Sequence, residues 1–249
     1  MKQTEQAEGT FEAVLSLTGP ATLDVAVDSG FVRVRAGDTG KVLIRGILRA
    51  RRSLFGWGGV EDRIRQLESK PPVEQNGNTI RVGDVADRWL LRGVSLFLEI
   101  AVPGDTRIRA LADSGDIRVE GISGPVECET DSGDILIREV TGRVHAEADS
   151  GDIEALDIAG DIEATADSGD IRISQTVAAP VRAEADSGAI SVKLVPGAGY
   201  NISVETDHGR ITLPEMEWRA RSEKEASGRI RGGGPVVDLE TDSGDIDVA

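Results

Sequence analysis

The sequence predicts an all-β fold, a parallel β-solenoid (β-helix) of 18-residue coils, and three observations carry that prediction. Glycine recurs every nine residues at Gly115, Gly124, Gly133, Gly142, Gly151, Gly160 and Gly169. Two residues after each glycine stands a β-branched apolar residue, as at Ile117, Val126, Ile135 and Val144, and a small or apolar residue follows two positions later. That is a turn leading into a strand with one buried face. Every second turn carries the same Asp-Ser-Gly motif, so two 9-residue halves make one coil. A unit this short buries its apolar face only by stacking on its neighbours.

From the N-terminus, residues 1–10 are expected to lie outside a single elongated domain over 11–249. Leu23, Val25 and Val27 precede an Asp-Ser-Gly turn, and Val32 and Val34 follow it, which is the pattern of a first coil. The pattern breaks at Gly46, and residues 46–92 read as an inserted lid. Within it Val60, Ile64 and Leu67 share one face of a short helix, which Pro71-Pro72 terminates. Asn76-Gly77 marks a hairpin turn. The strand Val94–Val102 then leads to the main repeat region, 105–249. One coil is a residue longer than the rest. Placing that residue within 174–176 keeps Val177 in the inward row of Ile122, Val140 and Ile158. Solenoid ends need caps, yet the last coil runs to Val248 with no lid in sight, so self-association through this terminal coil is expected.

Charge narrows the choice of partner. Residues 1–100 carry 14 Lys+Arg and 13 Asp+Glu, whereas 101–249 carry 14 and 31, and the whole chain is −16. An acidic rod repels nucleic acid and anionic lipid, which leaves a protein as the expected partner. No apolar run is long enough to span a bilayer. The first residues, Met-Lys-Gln-Thr-Glu-Gln-Ala-Glu, lack the apolar core of a secretory signal, so the sequence as it stands reads as cytoplasmic. The lone Cys128 shares a register with Ala146 and Ala164 and reads as a small core residue.

Stacking places Asp113, Asp131, Asp149 and Asp167 in one ladder and Asp116, Asp134, Asp152 and Asp170 in another. At the strand spacing of about 4.8 Å, adjacent unit charges repel by about 0.9 kcal/mol even in water. Two arrangements offset this. The leading Asp of each turn accepts backbone hydrogen bonds as an Asx-turn, or divalent cations such as Ca²⁺ sit between rungs, making these eight aspartates metal ligands. The first is favoured, so no cofactor or metal is expected, with Ca²⁺ as the alternative. A second candidate site is an interface formed by Arg49, Arg51, Arg52, Phe55 and Trp57, because Arg and aromatic residues anchor interfaces. The chain has no Gly-x-Ser-x-Gly, no His-Glu-x-x-His and no paired cysteines. A carbohydrate-active site would want aromatic platforms, and the repeat coils hold only Tyr200. No catalytic residues are assigned and no enzyme activity is expected.

The Ser-Gly turns with Gly-x-Ile-x-Val strands, the Gly232-Gly233-Gly234-Pro235 run and the closing Thr-Asp-Ser-Gly-Asp-Ile resemble the bacterial β-strand-repeat "putative adhesin" domains, also called toast-rack domains. The resemblance implies a non-enzymatic interaction or scaffold protein of adhesin type at the cell envelope. A cation-dependent surface module is the alternative.

Overall fold

In the computed structural model the residues described are 6–51, 59–83 and 88–249. The chain opens with β1 (Gln6–Ser16), β2 (Thr22–Ala36) and β3 (Lys41–Arg51). Then come α1 (Val60–Ser69), β4 (Val73–Asn76), β5 (Thr79–Val82), the single turn α2 (Arg88–Leu91) and β6 (Val94–Val102). The regular coils run through β7 (Arg107–Glu120), β8 (Val126–Ser132), β9 (Ile135–Arg138), β10 (Val144–Ser150), β11 (Ile153–Ile158), β12 (Ile162–Ser168), β13 (Ile171–Gln175), β14 (Val181–Ser187) and β15 (Ile190–Lys193). The last segment holds β16 (Tyr200–His208), β17 (Ile211–Thr212), β18 (Glu217–Arg221), β19 (Glu225–Ile230), β20 (Val236–Ser243) and β21 (Ile246–Val248).

Each regular coil gives one strand to each of two parallel faces. Face A stacks the first half of β7 with β8, β10, β12 and β14. Face B stacks its second half with β9, β11, β13 and β15. In-register pairing sets Ile117, Ile135, Ile153, Ile171 and Ile190 in one row. Val126, Val144, Ile162 and Val181 form the facing row, and both rows are buried. Side chains of a parallel pair are neighbours of identical kind, so each row is a dry aliphatic ladder that needs no aromatic bulk.

The corner between the faces explains the invariant glycine. Gly151 has φ 144° and a Cβ there would stand 1.9 Å from the carbonyl oxygen of Gly133. Successive coils touch backbone to backbone at this point, and a side chain has no room.

The stack does not follow chain order at either end. The sequence-last pair β20/β21 does not sit on the end of the rod. β20 pairs with β14 on one side and β16 on the other, and β21 lies between β15 and β17. Self-association through an open terminal coil is therefore excluded for this coil, since both its edges are already occupied. At the other end β2 pairs with β7 on both faces, and β5 and β6 form the coil beyond it. Segment 46–92 thus contributes β5 to the stack as well as α1, and the break at Gly46 falls inside β3, which pairs antiparallel with β1 and β6. Gln6–Thr10, expected outside the domain, belong to β1.

Antiparallel strands finish the rod. β1, β3 and β4 close one end, and β19 and β18 close the other, with β19 on β16 and β18 on β19. The outer edge of β1 is stoppered by side chains. Glu68 accepts from the Thr10 N–H at 2.9 Å, Gln75 donates to the Ser16 carbonyl at 2.9 Å, and Asn78 accepts from the Thr18 N–H at 3.0 Å. Ile64 and Leu67 are buried against this end, as the helical spacing predicts.

The extra residue lies elsewhere than expected. Gln175, not Val177, pairs with Ile158, and Val177 is 54% exposed. Gln175 is buried and donates to the Ala179 carbonyl at 2.9 Å, while its side-chain oxygen accepts from the Tyr200 hydroxyl at 3.2 Å. A polar residue is tolerated in the apolar row because both ends of its amide are satisfied.

Candidate interaction surface

The aspartate ladders are built by the stacking itself. Parallel registration carries the N–H of one coil's second aspartate onto the carboxylate of the coil before. Asp116 Oδ1 accepts from the Asp134 N–H at 3.1 Å, Asp134 from Asp152 at 3.0 Å, Asp152 from Asp170 at 2.8 Å, and Asp170 from Ala189 at 2.8 Å. The offsetting hydrogen bonds therefore run between coils and use the second aspartate. Among the described residues the leading Asp113, Asp131, Asp149 and Asp167 accept no hydrogen bond, so the Asx-turn expected there is not formed. Among the described residues no group of three or more His, Cys, Asp or Glu is placed to hold a metal ion.

Of the proposed arginine–aromatic interface, Arg49 pairs with Glu8 at 3.3 Å and lies 4.9 Å over the Phe97 ring. Its charge is thus engaged on its own surface. Arg51 ends β3, and Arg52, Phe55 and Trp57 lie outside the described residues.

The surface that stands apart chemically is the β18–β19 hairpin at the far end. The sequence shows it only as an interruption of the repeat between Pro214 and Arg229. All five residues of β18 are exposed. Trp218 is 41% exposed with Arg221 at 4.4 Å over its ring. On the coils, Arg109–Glu127 at 2.9 Å and Arg172–Glu154 at 2.5 Å pair across neighbouring strands. Arg219, Arg221 and Arg229 make no ion pair among the described residues. A groove of about 700 Å³ runs beside the hairpin, with Val236, Trp218, Arg219 and Arg229 in its walls. Val236 is 53% exposed. The end of an acidic rod thus carries exposed guanidinium groups, with Glu217 opposite Arg229, beside exposed apolar side chains, the composition of a contact surface.

Two further contacts lie outside the ladders. His145 on the outer face stands 3.6 Å from Glu163 and 4.0 Å from Glu147. Arg63 of α1 donates to the Trp89 and Arg92 carbonyls, at 3.2 and 2.7 Å, tying α1 to α2.

A family model described as Toastrack DUF4097 matches residues 105–176 and 157–249. Among solved structures, one described as a "putative cell adhesion protein" from Clostridium sporogenes aligns over 97% of this chain and 98% of its own, at 13% identity and a TM-score of 0.41. Another, described as a "putative adhesin" from Bacteroides fragilis, aligns over 97% of each chain at 14% identity and a TM-score of 0.49. Among curated proteins, none matches the chain significantly. No helix of the described residues is long and apolar enough to cross a membrane.

Proposed function

We propose that this chain, which belongs to the Toastrack DUF4097 family, is a non-enzymatic, adhesin-like scaffold that meets a protein partner through the β18–β19 end of its rod. The observation that carries the reading is the concentration of exposed, unpaired arginines around Trp218 on a molecule whose net charge is −16. Among the described residues Arg219, Arg221 and Arg229 make no ion pair, and a guanidinium beside an aromatic ring is well suited to take a partner's carboxylates. The closely packed coils give a rigid spacer, since each is held on both faces by its neighbours.

A cation-dependent module is the competing reading. The carboxylates of Asp116, Asp134, Asp152 and Asp170 already accept backbone N–H groups, which favours a ladder that is stable without metal.

A photo-reactive phenylalanine analogue placed at position 218, and separately at Glu163 on the outer face of the coils, tests the reading in the producing cell. Protein adducts arising from position 218 and not from position 163 are expected. Adducts from position 163 alone would contradict it.

A further inference from the structure

We propose that the free edge of β17 takes an extended segment of a partner protein as an added strand, with the pattern acidic-apolar-x-apolar. The inference rests on the reading of this end of the rod as the contact surface and names the form its partner takes. The two faces of the solenoid do not end together. On face B the strands β9, β11, β13, β15 and β21 each have a neighbour on both edges. β17 is the last of that face and pairs with β21 alone. Face A goes further, because β19 pairs with β16 and β18 with β19. The β18–β19 hairpin therefore overhangs a place on face B that no strand fills.

A groove of about 600 Å³ lies there, within the usual size of a specific ligand site. Ile211 and Leu213 line it from the β17 side, and Trp218, Arg221 and Lys224 from the hairpin. Trp218 pairs opposite Gly228 and Arg221 opposite Ala226, so both stand on the hairpin face whose residues are buried. Ile211 continues the inward row of Ile190 and Ile246, and Leu213, two residues on, points the same way. The backbone is ready to pair. The Arg210 carbonyl accepts from the Ile246 N–H at 2.9 Å. By the alternation of a parallel ladder, the N–H and carbonyl of Ile211 point to the free side.

The row of second aspartates supplies the chemistry of the guest. Along it a carboxylate accepts the N–H of the coil that follows, and Asp245 Oδ1 accepts from the Arg210 N–H at 2.8 Å in the same way. Arg210 is the last rung. Where the coils carry a carboxylate it presents an exposed guanidinium that makes no ion pair among the described residues. A strand whose first apolar residue lies beside Ile211 sets the residue before it beside Arg210, in a groove that also holds Arg221 and Lys224. A carboxylate suits that position. The groove's own acids are Asp245, engaged by the Arg210 N–H, and Glu223, exposed in the hairpin turn. The guest's two apolar residues then extend the rows of Ile211 and Leu213 toward Trp218. In strand addition the main chain supplies affinity and the alternate side chains supply specificity. The guest belongs to another protein, because this chain's own strands of that pattern are held on both edges.

An end-capped peptide with the sequence of residues 242–249, Asp-Ser-Gly-Asp-Ile-Asp-Val-Ala, carries the pattern and serves as the probe. Titrated into the ¹⁵N-labelled full chain, it should shift the Trp218 indole N–H, identified through Trp218→Phe, and the Ile211 amide. The shifts should saturate with a Kd of about 0.1–1 mM, and a scrambled peptide of the same composition should cause none. Arg210→Glu should weaken binding about tenfold or more, and the peptide's Asp245→Lys form should bind that variant and not the unaltered chain. Ile211→Pro removes the edge N–H and should abolish binding. Melting curves verify that each variant folds, and the charge exchange decides if Ile211→Pro does not. No shift up to about 5 mM peptide, equal shifts from the scrambled peptide, or binding indifferent to Arg210→Glu would overturn the proposal. Protein adducts from position 218 that form equally in a folded Ile211→Pro chain would overturn strand addition and leave the contact-surface reading standing. Adducts from position 163 alone would overturn that reading instead.

Discussion

At the level of single residues, the fold is governed by positions where the coils touch. Gly151→Ala would drive a Cβ to 1.9 Å from the Gly133 carbonyl oxygen at φ 144°. We expect it to destabilise by more than the ~1 kcal/mol of an ordinary glycine-to-alanine conflict, read as a fall in melting temperature. A control at Gly77, where nothing lies within 4 Å but φ is +61°, should cost only the backbone strain. The aspartates divide by role. Asp149, a leading residue, should tolerate Asn with little change, since the substitution removes one of a ladder of like charges. Asp134→Ala deprives the Asp152 N–H of its acceptor and should cost about 1 kcal/mol, whereas Asp134→Asn should retain most of the stability. A calcium-specific, saturable rise in melting temperature lost in Asp149→Asn would contradict this division. Sequence periodicity located Gly151 and the aspartates, because a repeat states which positions are equivalent. It could not say which aspartate accepts which N–H, because that depends on the offset between stacked coils.

Cys128 provides a pH test at the same scale. It is fully buried between Ala110 and Ala146, and burial pushes its thiol pKa up. The folded chain therefore keeps a proton that the unfolded chain releases above the ordinary thiol value of about 8.5. Stability from this group is whole below that pH and declines as pH rises beyond it. Denaturant melts should show the decline, and Cys128→Ala, which continues the alanine row, should remove this part of it. A native thiol that reacts readily with alkylating reagents at pH about 8.5 would contradict the burial.

At the level of elements, what was legible in the sequence was whatever repeats. The isoleucine and valine rows, the α1 face of Ile64 and Leu67, and the Asn76-Gly77 turn between β4 and β5 all follow from local spacing. The displaced residue after β13 does not. Keeping Val177 inward preserves an apolar pattern, but the chain instead buries Gln175 and turns Val177 out. The deciding group is Tyr200, distant in sequence, whose hydroxyl donates to Gln175 and accepts from the Val195 N–H at 3.2 Å. Tyr200→Phe would leave the buried Gln175 oxygen and the half-buried Val195 N–H without this partner, and we expect a loss of ~1–3 kcal/mol, measured by chemical denaturation. Gln175→Leu together with Tyr200→Phe should recover part of it, because removing both polar partners is less costly than removing one. The β18–β19 hairpin was equally hidden. It lacks the repeat, and its pairing with β16 depends on where that strand ends up in the stack.

For the whole molecule, the main departure from the sequence reading is the order of the coils. A repeat implies stacking of consecutive units, so the final Asp-Ser-Gly coil was expected to form an open end. In the fold, the chain lays down β16 and β17 one place too far out, then makes the β18–β19 cap, and returns to fill the gap with β20 and β21. The ends of the rod are therefore antiparallel strands with sequences unlike the coils. That is what a solenoid requires of its caps. The insertion also makes the last residues of the chain part of the core, with Val237, Leu239, Ile246 and Val248 all buried.

Disulfide trapping measures this order most directly. Ser187 stands beside Ser243, and Ser243 beside His208, in the register of face A. Adjacent positions in a parallel pair have Cα atoms about 4.8 Å apart, within the span of a disulfide, whereas positions two strands apart are about twice as far and beyond it. In a Cys128→Ala background, Ser187→Cys with Ser243→Cys should form an intramolecular disulfide under mild oxidation, and Ser187→Cys with His208→Cys should not. A disulfide in the second pair and none in the first would mean that the coils stack in chain order.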